Sequence, residues 1–562
     1  MQVVSAPTRA ELVRAHSRRV WLHIGVPSLR NLRYISRARA LVWFALFLSS
    51  VPLHLLFNSV IFTNMQANDY YVFSVTQAWL DGPGYNDSTT TRMNLTTVEI
   101  ASPGWLEHAL KDSIAPHLRL STADCFDTYD DHYVSRAGTV YIVQDGIIAT
   151  VGSKETPDEN TPTDWRCRDK EQPCEVSKDK SDWRLDDAPI EYCIVEEVEE
   201  RCRLDFSFVI ASLVIVSNFT KAICMALIIF KYRRHSPLVT LGDTVAHFLD
   251  FPDPETKGRC LFSRRLMDAQ WTWEFSNGAN KDELGVDPER YIPKHWRWQT
   301  APSAYRWSST YIMYAVTLIF GMVFMARSLA SMPRDQARRW DFGAIDGKNV
   351  LRMNTSLMGA ILLANLPQAI LSYLYLTFNA LYTNMFVARE WSTYGGERKP
   401  LRVTSPVGQQ RDTYWLNVPF RWAIPMTILS GLFHWLASQS IFLVQITITA
   451  TQDRQVTRLM STCGYSAVAI ILCIVVGTIV AIGGLVIGRF KYVSAMPMAS
   501  SCSAAISAAC HPLPEDAHAS TLPVQWGVVA RGDRYTEGDK AVGHCAFSSL
   551  PVQQPIQGRL YA

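Results

Sequence analysis

Aspartate and glutamate are absent from every long apolar run of this 562-residue sequence. An intramembrane aspartyl protease needs two acids at that depth, so none is encoded. A proton relay of the kind pumps use would have to run through His54 and His434 alone. No HExxH occurs, which removes the helical zinc-protease signature. Charge of one sign is lacking too. A net charge of +3 carries no electrostatic footprint for nucleic acid. Cysteine is sparse, at 12 residues, which excludes a small disulfide scaffold. At 48% hydrophobic, the chain has too much apolar content for wholesale disorder. No apolar core of a signal peptide precedes residue 40, so the first apolar run is expected to act as the targeting signal.

What is present is hydrocarbon in blocks. A membrane helix needs about 20 mostly apolar residues. Six stretches qualify, with spans expected at 40–62, 206–230, 308–330, 355–385, 423–449 and 465–488. The expected fold class is all-α, a polytopic membrane helix bundle with a large disulfide-prone extracellular loop of mixed structure. Residues 1–39 hold eight arginines and the single acid Glu11, which keeps the N-terminal segment in the cytosol. Alternation then places 63–205, 331–354 and 450–464 outside and 231–307, 386–422 and 489–562 inside. The inner segments sum to +13 and the outer ones to −12. Segment 331–354 fits less well, with Arg334, Arg338, Arg339, Lys348 and Arg352 on the outer side. The expected setting is a plasma membrane with both termini cytosolic.

The long outer segment, 63–205, carries 28 acids against 13 basic residues. Thr139–Gln144 reads as a strand ahead of an Asp145-Gly146 turn. Cys125, Cys167, Cys174, Cys193 and Cys202 lie in this segment. An odd number in an oxidising compartment asks for a sixth, and Cys463 at the outer mouth of the last span is the expected partner. Asn86 and Asn94 head exposed glycosylation sequons.

Polar groups within spans are functional candidates by default. Lys221 lies about 13 Å from the inner end of its span, and Asn218 at i−3 shares its helix face. The expectation is that both face the bundle interior, with Lys221 bonded to amide or carbonyl oxygens. Candidate partners are Asn58, Asn365, Gln368 and Gln439. His54 with Asn58 at i+4, and His434, read either as packing glue or as a relay. Gly484 and Gly488 form a GxxxG suited to close helix approach, and Pro367 is placed to kink the fourth span. Trp296, Trp298 and Trp307 read as an interfacial belt. Ser236-Pro237 is expected to open a helix through Leu249. Cys502 and Cys510 in the tail are palmitoylation candidates. With His511, His544 and Cys545 they lack the CxxC or HxxxH spacing of a zinc site, so no metal or cofactor is expected.

Several long stretches together resemble a fungal family of multi-pass membrane proteins catalogued as a domain of unknown function. They are residues 25–59, NFTKAICM at 218–225, 236–254, 364–391, 399–425, 430–444, 500–511 and 543–562. The resemblance implies the polytopic topology, an Asn-x-x-Lys pattern at Asn218 and Lys221, and paired cysteines at Cys193 and Cys202. One departure from that family is expected: its members usually carry a further hydrophobic span ahead of the stretch that corresponds to residues 5–9, close to which this sequence starts. The resemblance brings no activity with it. The reading is a non-enzymatic cell-surface protein with a sensing, binding or scaffold role, its partners the lipid bilayer and an extracellular ligand or protein. A transporter or channel built around Lys221 is the alternative, and a membrane-embedded enzyme comes third.

Overall fold

The computed structural model describes residues 1–75, 77, 117–129, 133–144, 151–155, 183–185, 188–231, 237–276, 288–330, 349–351, 355–414, 416–450, 456–530, 536–537 and 540–562. Asn86, Asn94, Cys167, Cys174 and the basic residues Arg334, Arg338, Arg339, Lys348 and Arg352 lie outside the described residues.

The apolar blocks fold as helices. After a short α1 (Arg9–His16), the first block forms α2 (Arg37–Leu48) and α3 (Ser50–Leu56), closed by a 3-10 turn at Phe57–Ser59. At Ile61 the chain becomes β1 (Ile61–Val75). The other blocks are α5 (Phe208–Lys231), α8 (Ala304–Ala330), α9 (Leu357–Thr393), α10 (Phe420–Ser440) and α11 (Ala467–Gly488); α4 (Thr122–Tyr129), α6 (Leu241–Asp250) and α7 (Arg264–Ser276) lie between them. Five helices among the described residues are long and apolar enough to cross a membrane: Arg37–Ser59, Phe208–Lys231, Ala304–Ala326, Leu357–Thr393 and Ala467–Gly488. The 21-residue α10 is not among them, although it runs between the same two ends of the molecule.

The molecule is not all-α. The expected fifth span, 423–449, stops being helical at Ser440 and continues as β8 (Ile441–Ala450). The physical reason lies in IFLVQITITA, where β-branched residues recur and the side chains suit a pleated surface better than a helix. β8 pairs in parallel with β1 (Thr63↔Val444 through Asp69↔Ala450) and antiparallel with β9 (Val456–Tyr465). The remaining strands come from the long segment after the first helix: β2 (His117–Ser121), β3 (Ala137–Gln144), β4 (Val151–Glu155), β5 (Arg184–Leu185), β6 (Ala188–Glu197) and β7 (Cys202–Phe206). Together they build a nine-stranded sheet in the order β9-β8-β1-β3-β6-β2, with β4 and β7 also on β1 and β5 on β6. β1 is the spine. Its first half pairs with β7 and β8, and its second half with β3 and β4. Asn64, Gln66 and Asn68 alternate along one face. Their amides bond Asp205, Thr449 and the Ser135 and Ala137 carbonyls, which satisfies polar groups that the sheet buries.

The opposite end is a second folded body. Segments expected as separate loops and a tail share one hydrophobic core, which takes in Leu12, Trp21, Phe248, Trp271, Trp391, Ile506 and Phe547. The fourth span outlasts its expected end at 385 for this reason. The last turns of α9 bury Val387 and Trp391 in that core. α9 passes through Pro367 as one helix. α6 begins at Leu241 rather than at Pro237. Thr240 is its cap, with Thr240 Oγ1 accepting from the Asp243 N–H at 3.0 Å and Asp243 Oδ2 accepting from the Thr240 N–H at 2.9 Å. Trp298 is not an interfacial side chain either. It is 5% exposed and stacks on Tyr492, while Trp296 and Trp307 remain half-buried beside it. α9 therefore joins the sheet end to the core end, and α8 and α10 pack beside it.

Candidate functional site

Between α8, α9, α10 and α11 lies a cavity of about 450 Å³. Its wall is hydrocarbon: Leu366, Ile370, Phe378, Phe433, Ile474 and their neighbours. The polar exceptions include His434, Ser430 and Asn379. Space persists because two glycines line it. A Cβ on Gly321 or Gly477 would meet only ordinary contacts, at 3.6 Å or more.

His434 connects this cavity to a polar chain. Its Nδ1–H donates to Gln368 Oε1 at 2.6 Å, and Gln368 Nε2 donates back to the His434 carbonyl at 2.6 Å. One turn along α9, Ser372 Oγ donates to the Gln368 carbonyl at 2.8 Å and accepts from His54 Nδ1 at 3.0 Å. The two imidazoles lie nearly parallel, with ring centroids 5.7 Å apart. Both Nδ1 atoms are thus donors, and each Nε2 is left as an acceptor in the neutral ring. Asn365 Nδ2, further along the same stripe, donates to Ser59 Oγ at 2.7 Å.

The structure thus brings His54, Gln368 and His434 into one chain with Asn365 beside it. It does not bring in the rest. α5 packs through Ile210, Val214, Ser217 and Cys224, a helical stripe on which Lys221 falls. Lys221 is half-buried, and its charge reaches His54 on the neighbouring helix. It makes no hydrogen bond to an amide or carbonyl, contrary to expectation. Asn218 lies off the stripe and is exposed. Asn58 is exposed because the 3-10 turn at Phe57–Ser59 breaks the i, i+4 relation with His54. Gln439 reaches only Ser438 Oγ, at 3.5 Å. Ser372 was missed, although Asn365, Gln368 and Ser372 recur at i, i+3 and i+7 and so mark one polar stripe.

Gly484 sits where the hydroxyls of Tyr311 and Tyr382 approach α11; an added Cβ would meet them at 2.8 and 2.9 Å. The Tyr311 hydroxyl donates to the Ala481 carbonyl at 2.8 Å. Gly488 faces Gln299 and Trp307 at 3.3 Å.

The cysteines depart from expectation. Cys125 on α4 is bonded to Cys193 on β6. Cys463 is a buried free thiol whose Sγ–H donates to the Ala360 carbonyl at 3.4 Å, so it closes no bridge to the outer segment. Its place on β9 opposite Leu443 turns it toward Ala360 of α9. Cys202 is free and exposed, and the implied pairing with Cys193 is replaced by Cys125. Cys502 and Cys510 are fully buried in the hydrophobic core, which removes them as palmitoylation candidates. α12 (Ser503–Ala508), which they flank, is a core element because its small residues allow close packing on all sides.

Two polar groupings stand in that core, the first unexpected and the second built around His511, His544 and Cys545, which the sequence offers without metal-site spacing. His16 Nδ1 bonds Asp253 Oδ2 at 2.5 Å and His16 Nε2 bonds Ser503 Oγ at 2.8 Å, joining three distant segments. Ser503 Oγ also accepts the Leu22 N–H at 2.9 Å, and all three side chains are buried, so the arrangement is a tether. Burial alone would push the Asp253 carboxyl up, but the His16 contact and the Glu255 N–H outweigh it and hold the carboxyl below its ordinary value. In the second grouping, His544 Nδ1 bonds an oxygen of Ala562 at 2.6 Å and Nε2 the His511 carbonyl at 2.9 Å. Burial opposes its charge, but these bonds and the neighbouring Cys260 thiol raise it to about 9. Burial likewise opposes the Cys260 thiolate, and bonds from Cys545 and His544 bring that thiol down to about 6. Among the described residues, no group of three or more His, Cys, Asp or Glu side chains is placed to hold a metal ion.

No curated protein and no solved structure matches the chain. Residues 1–64, from the basic segment into β1, match a family of unknown function, DUF6536. A second match covers residues 278–561, half of the chain, and includes the four cavity helices, the β8–β9 hairpin and the C-terminal part of the core; the chain belongs to the family described as domain of unknown function DUF8419.

Proposed function

We propose that this is a non-enzymatic integral membrane binding protein of the cell surface, which takes a hydroxyl-bearing hydrocarbon from the bilayer into the cavity between α8, α9, α10 and α11. The observation that carries the reading is the chemistry of the wall. It is apolar almost throughout, with His434 and Ser430 one turn apart on α10 and Asn379 further along α9 among its few polar groups. The Ser430 and Asn379 side chains have no hydrogen bond within the protein, so a ligand hydroxyl supplies what they lack. A cavity of this size suits a drug-sized molecule held by apolar contact and a few polar groups. The excess of basic residues in 1–39 supports a cytosolic core and an outer sheet. α9 spans from the sheet to the core and forms one wall, which suits a sensor more than a scaffold.

The test is photolabelling of the full chain in detergent with a photoreactive sterol and with its hydroxyl-free analogue. The sterol should label residues of the cavity helices and the analogue should label weakly. Gly477→Leu fills the cavity without a backbone clash and should abolish labelling while leaving the melting temperature unchanged or raised. Equal labelling of wild type and Gly477→Leu would sink the proposal.

A transporter is the second reading, favoured by the His54–Ser372–Gln368–His434 chain. The cavity lining does not include Lys221, and the chain contains no acid, so its support is narrower.

A further inference from the structure

At the core end of α8, apart from the apolar cavity, lies a second space of about 160 Å³. Ser263, Arg264, Arg265, Trp296, Thr300 and Ser303 line it. The electrostatics are one-sided. Arg306 and Arg30 stand close enough that their charges, with that of Arg264, act on the buried His23. Arg264 and Arg306 also act on each other. The acid felt by this group is Asp268, which already accepts the Trp21 indole N–H at 2.8 Å. Arg264 Nη1 donates to the Ala301 carbonyl at 2.9 Å, whereas the Arg265 and Arg306 guanidinium groups make no hydrogen bond within the protein. Four cations against one committed carboxylate repel one another, and the partly buried setting screens that repulsion less than open water would.

The backbone adds to the same sign. Ser263 and Ser303 stand at the start of α7 and α8, accepting the Leu266 and Arg306 N–H groups at 3.4 and 3.3 Å. Two helix N-termini, of 13 and 27 residues, therefore open onto one polar space lined with arginine. Its level is set by Trp296 in its wall and Trp307 one turn into α8, side chains of the kind that settle among lipid headgroups. Arginine forks match the oxygens of a phosphate.

We propose that this space binds a phosphate group at the membrane surface, carried either by a phospholipid headgroup or by a free phosphate anion. The bound group neutralises the arginine cluster and ties the entry of α8 to α7 in the core.

The test measures thermal stability of the full chain in detergent with three probes: dioctanoyl phosphatidic acid, dioctanoylglycerol and inorganic phosphate. Phosphatidic acid should raise the melting temperature and dioctanoylglycerol should not. A rise with phosphatidic acid alone assigns a lipid headgroup, and a rise with inorganic phosphate as well assigns a free anion. Arg265→Gln and Arg306→Gln should each weaken the shift, and the double variant should lose it. Arg265 is exposed, so Arg265→Gln should melt at the wild-type temperature without ligand and keeps the test readable. No shift with either phosphate probe, an equal shift with dioctanoylglycerol, or a full shift in the double variant overturns the proposal. Gly477→Leu should leave the phosphate response intact, which separates this site from the apolar cavity.

Discussion

Gly242 shows how much one missing side chain decides. A glycine inside a helix costs about 1 kcal/mol relative to alanine, so α6 carries it at a loss unless something needs the room. Here the Arg402 backbone needs it. A Cβ on Gly242 would stand 2.0 Å from the Arg402 carbonyl oxygen, and backbone cannot swing aside. The contact brings α6 against the strand at Arg402–Val403, where Thr240 Oγ1 donates to the same carbonyl at 3.1 Å. Gly242→Ala should therefore lower stability by about 1–3 kcal/mol despite its better helix propensity. Limited proteolysis within 237–276 should report the loosening; unchanged cleavage would mean that the two segments do not dock as described.

The elements divide by how far their cause reaches along the chain. Five helices were legible because a run of some 20 apolar residues has few other fates. β8 was not, because IFLVQITITA continues the apolar run of α10 and only its pairing with β1, 381 residues away in sequence, makes it a strand. The extension of α9 was hidden in the same way. Trp391 reads as the polar side of a membrane boundary until the core that buries it is assembled from four segments. The candidate site was half legible. Asn365, Gln368, His54 and His434 announce themselves as polar residues in apolar runs, but which of them meet depends on helix rotation, and the turn at Asn58 is invisible to a periodicity argument. Trp391 also gives the element-scale prediction. It is 1% exposed, its indole N–H donates to the Pro497 carbonyl at 2.9 Å, and its ring packs edge-on to Phe547. Trp391→Ala should cost about 3–5 kcal/mol and expose the core to protease while leaving the Cys125–Cys193 bridge formed.

At the scale of the whole molecule, protons act chiefly on the core end. Asp253 is held below its ordinary carboxyl value in the folded state, so its contribution is complete above about pH 4 and fades as pH falls through the depressed value. The Cys260–His544 pair compensates itself. The thiol lies lower when folded, at about 6, and its share is lost as pH falls through that point. The imidazolium lies higher when folded, at about 9, and its share is lost as pH rises through that point. Between the two, one partner gains what the other gives up, so the pair's contribution is a plateau. Below the plateau the imidazolium's share is complete, and above it the thiolate's is. The pair should hence keep the melting temperature of the full chain level across about pH 6 to 9, and the fall in acid belongs to Asp253. A wild-type melting temperature that changes markedly between about pH 6 and 9 would exclude this compensation.

The β8–β9 hairpin leaves α10 at Ser440 and re-enters α11 at Ala467, with only Ser466 between strand and helix on the return. There is no slack at either joint. The two helices behave as the legs of a tuning fork whose bend is woven into the sheet. If the legs spread around an occupant, the hairpin has two choices. It can slip in register, which would turn every inward side chain outward, or it can rotate as a plate together with β1. The second course costs far less. Occupancy of the space between the legs is then converted into an angle of the whole nine-stranded sheet, and a hand laid on that sheet would, by the same gearing, squeeze or open the space.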